Sequence, residues 1–503
     1  MRNAAFLLAA GAVAILSPPA ARAAAPESGP ASSPVSAAVG VGVVPPDEET
    51  DLGDPGYMLE RIDIRGNHKT TNALITSLLG LRTGEPWNER SGRLARLRLL
   101  TTGYFISVEL SLARGARPGW VVLRVDVVER NTLLLRDLFI ASSELEPIVF
   151  GWELAETNLL GTGMYLSGAF VAGRDQAGLT LRWADPAVGA SRVGVGVSLV
   201  YVDAVDFFGT RCRTFAGAPL PPDAPICRGA DGALPGATDF ARLHYRRAGG
   251  TAGISWALAR FTSLYLDLRL ESLHAALPAG ASTAPPRATV AEPIDFSIVE
   301  GASLLVSAMI TLETDSRDHP YLPRHGTLFS AMTELSHRYM GSSYEFVKVA
   351  AHLQHVWRVR RNDALKLDLL AGAIWGDAPF FDRFYLGDFS ELVPYRNLEI
   401  AMSAHVPTLL PSSVDRMRYE DFVGKAAVEY AIPVREQIGK YIYGIDFFVR
   451  PGVFAIFSAD DLRGGALDGR PPLDLTFDLG FRADTFIGDF SLSLGNVIGI
   501  VPF

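Results

Sequence analysis

From Leu473 to Arg482 apolar and polar residues alternate without a break: Leu473, Leu475, Phe477, Leu479 and Phe481 on one side, Asp474, Thr476, Asp478, Gly480 and Arg482 on the other. A strand points successive side chains to opposite faces, so this segment separates an oily surface from a polar one. Its length suits a tilted strand that crosses a bilayer, about 9–11 residues. On the lipid side of such a strand a charge costs about 2–4 kcal/mol near the midplane. Asp474, Asp478 and Arg482 are therefore expected to face a wet interior. Taken alone, the segment would serve equally well as a strand of a soluble sandwich.

The pattern recurs, and recurrence separates the two readings. Leu264, Leu266, Leu268 and Leu270 alternate with Tyr265, Asp267, Arg269 and Glu271, and Leu365, Leu367 and Leu369 with Lys366 and Asp368. Phe422, Ala426, Val428 and Tyr430 oppose Lys425 and Glu429, and Tyr443, Ile445, Phe447 and Val449 oppose Asp446 and Arg450. A sandwich needs a second layer to cover so many apolar faces, and the chain offers none. Closing the sheet on itself removes its edges and lets the apolar face meet lipid. The expected fold is mainly β: a transmembrane antiparallel barrel over 148–503, of about sixteen strands because bacterial barrels are even-numbered. Trp152, Tyr165, Trp357, Trp375 and Tyr443 near strand ends suit an interfacial girdle. The Gly/Pro-rich stretches 204–240 and 275–293 suit outer loops.

Ahead of the barrel the period changes. Leu59–Ile64 alternates and stops at Gly66-Asn67, a turn pair. Thr70-Thr71 opens a helix with Leu74, Ile75, Leu78 and Leu79 on one face, ended by Gly80. A second helix starts near Asn88 and ends at Gly103, and two alternating strands follow, Phe105–Leu112 and Trp120–Val128. This is a small α/β domain of order βααββ over 57–130, joined to the barrel by a connector over 131–147.

The N-terminus reads as an export signal over 1–25: Arg2, an apolar run from Ala4 to Leu16, then Ala21-Arg22-Ala23. Residues 26–56, rich in Ala, Pro, Ser and Gly, read as a disordered linker. Export makes a loop disulfide between the two cysteines, Cys212 and Cys227, the expected pairing. Such a loop closure is worth about 3 kcal/mol on an entropic account. The composition is 48% hydrophobic, yet no later segment supplies the roughly 18 uninterrupted apolar residues of a membrane helix. A net charge of −9 argues against a nucleic-acid surface.

Several motifs resemble one family. IRGNHKTT with Gly66 and Asn67, the helix exit Gly103-Tyr104-Phe105 and the closing VDVVER resemble a POTRA domain. That is the periplasmic module of the BamA/TamA-type outer-membrane assembly superfamily, the bacterial surface antigens. In the barrel region, Asn158-Leu159-Leu160-Gly161-Thr162-Gly163 resembles the turn after the family's first strand, and Asp185-Pro186 its next marker. Asp315, Arg317, Asp318, Pro320, Pro323 and Gly326 sit where the family has its Arg-Asp-x-Pro strand connection. Phe490 and the terminal Phe503 resemble a C-terminal barrel signal.

The resemblance implies an outer-membrane protein that assists insertion or translocation of proteins. Its partners would be outer-membrane lipid, unfolded clients received by the POTRA domain, and periplasmic accessory lipoproteins. It also implies a weak seam between the first and last strands, placed at Ile148–Ala155 and Phe490–Val497. The family's sixth outer loop carries an Arg-Gly-aromatic tip whose arginine pairs with an acid on an inward strand face. Here Val393-Pro394-Tyr395 stands in that place, Arg396 follows one step late, and Arg450 occupies the acid's position with Asp446 four residues earlier. Either Arg396 pairs with Asp446 in a shifted lock, or the loop is an ordinary lid or plug.

Other chemistry finds little footing. There is no H-E-x-x-H, G-x-S-x-G, phosphate-binding or dinucleotide motif, so neither an enzyme nor a cofactor or metal is expected. His352 and His355 lie on an alternating strand and face opposite ways. A transporter dedicated to one partner, and a passive channel or structural barrel, remain as alternatives.

Overall fold

The computed structural model describes residues 56–499 except 142–146, 210–239, 260, 284–291, 319–321, 361, 386–395, 398–399, 402–418, 439–440 and 459–472. The expected leader, the linker up to residue 55, Cys212, Cys227, Pro320, Tyr395 and Phe503 lie outside the described residues.

The first unit has the expected order: β1 (Met58–Arg65), α1 (Asn72–Leu79), α2 (Glu89–Thr101), β2 (Phe105–Arg114) and β3 (Trp120–Glu129). β3 is central, parallel to β1 and antiparallel to β2. The Thr71 hydroxyl accepts from the Leu74 amide to cap α1, and Gly80, at φ 61°, ends it in the left-handed conformation. Ile75, Leu79, Ala95 and Leu99 of the helices close on Leu59, Phe105, Val108 and Leu123 of the sheet. Each such large side chain fully buried is worth about 1.5–3 kcal/mol.

The second unit is a single antiparallel sheet curled on itself. Its strands are β4 (Leu133–Ala141), β5 (Val149–Leu159), β6 (Met164–Ala172), β7 (Ala177–Asp185) and β8 (Val193–Gly209). Next come β9 (Phe240–Ala259), β10 (Thr262–Ala276), β11 (Gly301–Asp315), β12 (Gly326–Ser336) and β13 (Glu345–Arg358). The last are β14 (Ala364–Asp377), β15 (Phe422–Ile438), β16 (Ile442–Phe457), β17 (Asp474–Thr485) and β18 (Gly488–Gly499). Each pairs with its sequence neighbour, so the barrel is an up-and-down meander.

The two faces divide as the alternation requires. Leu475, Phe477 and Phe481 are exposed on the outer wall of β17, while Asp474, Thr476 and Asp478 are buried inside. Trp152, Trp357 and Trp375 are exposed on the outer surface, but Tyr165 and Tyr443 are buried, which removes them from the girdle. Tyr165 accepts a hydrogen bond from Arg136, and the Arg130 guanidinium lies 4.6 Å from the centre of the Tyr443 ring. Among the described residues several inward charges neutralise one another. They are buried in ion pairs: Lys366 with Glu429 at 3.0 Å, Arg482 with Glu429 at 3.2 Å, and Asp368 between Lys425 and Arg450.

Two expectations change. Residues 131–147 are not only a connector, because Leu133–Ala141 forms the first barrel strand and pairs with β5. Among the described residues the sheet holds 15 strands, not sixteen. An odd number of antiparallel neighbours leaves β4 and β18 running the same way, both starting at the rim that carries the first unit.

Candidate functional site

The two motifs read separately in the sequence meet at that rim. Gly66 turns at φ 85°, where a Cβ would fall 2.0 Å from the Val127 carbonyl oxygen. Behind the turn, the amides of His68, Lys69 and Thr70 donate to the Glu129 carboxylate at 2.7, 2.8 and 2.6 Å. Burial acts to raise the Glu129 pKa, but these amides together outweigh it and hold the carboxyl below its ordinary value. Asn67 donates to the Thr70 carbonyl at 2.8 Å. Gly103, at φ 71°, reverses the chain after α2, and Phe105 is fully buried beneath it.

The loop so held is the docking face for the β5–β6 turn. The Asn158 side chain donates to the Thr70 hydroxyl at 2.9 Å and accepts from the Gly163 amide at 2.8 Å. The Thr71 amide donates to the Gly161 carbonyl at 2.9 Å. Gly161 sits at φ 71° with its Cα against the Lys69 carbonyl, where a Cβ would come within 1.8 Å. The IRGNHKTT and NLLGTG stretches thus form one joint between the small domain and the barrel.

Beside the joint lies the seam. Leu135 donates its amide to the Ile487 carbonyl at 2.7 Å, and Gly488 packs directly on the Leu135 carbonyl. Just below, the buried Arg130 donates to the Thr485 carbonyl at 2.9 Å and lies 3.5 Å from the Asp484 carboxylate, while Asn131 donates to the Phe486 carbonyl at 3.1 Å. Farther along, no ladder joins β4 to β18 among the described residues. Leu138 and Ile140 on one edge and Leu492 and Leu494 on the other are 62%, 80%, 79% and 75% exposed. Among the described residues the seam is clasped at one rim and carries no ladder beyond it. Phe490–Val497 falls on the seam as expected, but Ile148–Ala155 does not: it belongs to β5, which is paired on both sides by β4 and β6.

The strand connection is a structural turn. Asp315 accepts from the Arg317 amide and from its guanidinium at 2.9 and 2.7 Å, and Arg317 reaches on to Gln354 at 3.1 Å. Asp318 accepts the amides of Arg324 and His325, Pro323 precedes them, and Gly326 turns at φ 116° against the Ser316 carbonyl. His352 pairs with Asp368 and His355 with Thr327, so the two do not converge.

Of the loop-lock residues, Asp446 is bound by Arg324 at 2.6 Å and Arg450 by Asp368. The side chain of Arg396 lies outside the described residues. What does enter the barrel is the base of that loop, a short turn at Phe380–Asp382. Asp382 meets Arg269, which also binds Glu271 at 2.7 Å and Glu334 at 3.3 Å, and Lys348 donates to the Asp382 carbonyl at 2.7 Å. Phe380 and Phe384 are fully buried, and Arg247 stacks 4.5 Å from the Phe381 ring centre. Sequence reasoning did not single out Asp382, Arg269 or Arg130. The available signals were the aromatic burst APFFDRFY inside a loop and the charges on the inward face of β10.

A lipid-facing β-meander, with a small α/β domain docked beside an incompletely paired seam, defines a membrane barrel of the type that carries an accessory domain at one rim. Residues 158–452 match the Omp85 superfamily domain, more than half of the chain, and the protein belongs to that superfamily. Its barrel is an outer-membrane barrel. The chain is 23% identical over 460 residues to the outer membrane protein assembly factor BamA of Nitratidesulfovibrio vulgaris, covering 87% of this chain and 51% of that protein. It therefore spans about half the length of this curated relative. Among solved structures it is similar to CdiB from Escherichia coli, with 12% identity, a TM-score of 0.54, and 88% and 73% of the two chains covered. It is also similar to BamA from Haemophilus ducreyi lacking POTRA domains 1-3, with 12% identity, a TM-score of 0.47, and 87% and 84% covered.

Proposed function

We propose that the protein assists the insertion or translocation of other proteins at the outer membrane, without covalent chemistry, by opening between β4 and β18. The small domain over 57–130 is read as a POTRA domain in the periplasm that receives unfolded clients. Accessory lipoproteins are its expected neighbours there. The curated relative it matches is an outer membrane protein assembly factor, in keeping with this reading.

The observation that carries the proposal is the seam: backbone contact at Leu135–Ile487, then two edges with exposed leucines and, among the described residues, no ladder. An unpaired strand edge is a template for another extended chain. The buried charge pairs and the Phe380–Asp382 turn inside the barrel weigh against a passive channel.

The test is a reversible seam lock. Leu138→Cys and Leu492→Cys are introduced with Cys212→Ser and Cys227→Ser, and the outer-membrane proteome is counted under oxidising and reducing conditions. Oxidation should deplete client barrels or one secreted partner, and reduction should restore them. An unchanged census with the lock fully formed would refute opening at this seam, and depletion of one partner alone would identify a dedicated transporter.

A further inference from the structure

The small domain carries a surplus of positive charge along α2 and the loop before it. Between Arg82 and Arg98 stand the arginines Arg82, Arg90, Arg93, Arg96 and Arg98 against Glu85 and Glu89, although the whole chain has a net charge of −9. Little of that surplus is neutralised within the domain. Arg93 lies 3.6 Å from Glu89. Arg96 donates to the Val108 carbonyl at 2.7 Å and Arg98 to the Leu79 carbonyl at 2.8 Å, which fixes each guanidinium without cancelling its charge. Arg82 and Arg90 are exposed, and among the described residues no carboxylate lies within ion-pair distance of either. Beside them is a cavity of about 130 Å³. Leu81, Trp87 and Leu94 give it apolar walls, and Arg82, Ser91 and Arg98 are among its polar ones. An engineered cavity of about 150 Å³ takes benzene, so this one admits a single aliphatic side chain.

The chain enters the domain along this cavity. The Trp87 amide donates to the Tyr57 carbonyl at 2.7 Å, the Leu59 amide to the Glu85 carbonyl at 2.9 Å and the Gly84 amide to the Leu59 carbonyl at 2.7 Å. Met58 pairs antiparallel with Pro86. An antiparallel course carries the residues before Tyr57 toward Asn88 and the first turn of α2. Those residues are acidic: Asp47, Glu48, Glu49, Asp51 and Asp54 are interrupted only by Thr50, Leu52 and Gly53, with no base among them. At about 3.3 Å per extended residue, Asp54 reaches up to about 10 Å from Tyr57 and Asp47 up to about 33 Å. α2 rises only about 14 Å from Glu89 to Arg98, at about 1.5 Å per residue. The acids are thus within reach of Arg82 and Arg90, and the positive end of the α2 dipole favours them as well.

We propose that the acidic segment over 47–54 of this same chain folds back onto the cleft, with Leu52 in the cavity against Trp87 and Asp51 and Asp54 on Arg82 and Arg90. Charge selects an acidic occupant, and the cavity selects one with an aliphatic side chain between its acids. The tether selects this segment over a partner in trans. A short tether holds a segment at an effective concentration of about the millimolar range, which a separate peptide has to exceed. The contact is autoinhibitory: another acidic partner meets these arginines only after displacing it.

The test uses the full-length protein in detergent with Cys212→Ser and Cys227→Ser. Leu52→Cys is paired with Ser91→Cys in the cavity wall, or with Ser77→Cys on the exposed side of α1 as a reference for random collision of the tether. The rate of intramolecular disulfide formation under a fixed oxidant is read by mass spectrometry. The Ser91 pair should close about tenfold faster than the Ser77 pair, and about 0.5 M NaCl should remove most of that advantage by screening. Arg82→Gln with Arg90→Gln should do the same. Asp51→Asn with Asp54→Asn gives an equivalent reading and leaves every residue of the folded domain in place. Equal rates for the two pairs, or an advantage that survives both salt and neutralisation of the aspartates, would overturn the docking. Crosslinks between molecules instead of within one would show a second copy in the cleft and overturn the assignment to the chain's own segment. The crosslink is indifferent to client assembly, so it and the seam lock fail separately.

Discussion

Arg269 and Asp382 meet inside the barrel although 113 positions separate them in the chain, with Nη1 2.9 Å from one carboxylate oxygen and 3.0 Å from the other. Around the pair, Phe380, Phe381 and Phe384 fill the bore, and Gly372 of β14 makes room for the Phe384 ring, which a Cβ there would approach to 2.3 Å. An acid from the loop on an arginine of the wall anchors this turn. Asp382→Asn leaves Arg269 with Glu271 and Glu334, so the barrel should fold at a cost of about 1–3 kcal/mol. The turn should loosen, and conductance across a planar bilayer should rise above that of the wild type. Gly372→Val should do the same by displacing Phe384. Unchanged conductance in both variants would show that the turn is held by other contacts.

At the joint, Asn158 is buried and satisfies both Thr70 and Gly163. Asn158→Ala removes a donor from the Thr70 hydroxyl and strands the Gly163 amide, at about 1–3 kcal/mol for the group left unpaired. Faster hydrogen exchange at Thr70, Thr71 and Gly163, with barrel strands unchanged, is the expected result. Gly161→Val should have a larger effect, because the Lys69 carbonyl must move aside.

Glu129 adds a pH dependence to the same loop. Its carboxyl titrates lower in the folded domain than in the unfolded chain, where a glutamate titrates near about 4.3. The contribution is therefore present above that pH and is lost as pH falls through the lower folded value. Exchange at residues 68–70 should accelerate below about pH 4 in the wild type. In Glu129→Gln it should be fast already at neutral pH and lack that acid-side step.

Much of the architecture was legible because it follows from period alone. Leu473–Arg482 is two-faced, and the strand it forms is two-faced in the barrel. The small domain was legible from its caps, Thr71, Gly80 and Asn88, which act over three or four residues. β4 was hidden by a bulge: its pairing slips between Leu135 and Asp137, so the outward positions run Leu133 and Leu135, then Leu138 and Ile140. A period-two reading fails across such a slip. The loop anchor was hidden for a different reason. Nothing local to APFFDRFY shows that its acid meets Arg269, and a pairing across 113 positions is a property of the closed barrel.

Arg130 joins both parts of the site, since it follows the last strand of the small domain and reaches Thr485 and Asp484 at the foot of the seam. Both the Arg130 and Asp484 side chains are 1% exposed, so removing one leaves a buried polar group without its partner. Arg130→Met should destabilise the barrel by about 1–3 kcal/mol, seen as a lower temperature for loss of heat-modifiable migration. Adding Asp484→Leu removes the stranded carboxyl and should return most of that stability. The clasp itself would still be missing. In the double variant the Leu138→Cys/Leu492→Cys crosslink should therefore form more slowly than in the wild type, because the edges spend more time apart. Stability restored with a wild-type crosslinking rate would show that Arg130 only fills space at the rim. Stability restored with slow crosslinking would identify it as the latch through which the small domain holds the seam closed.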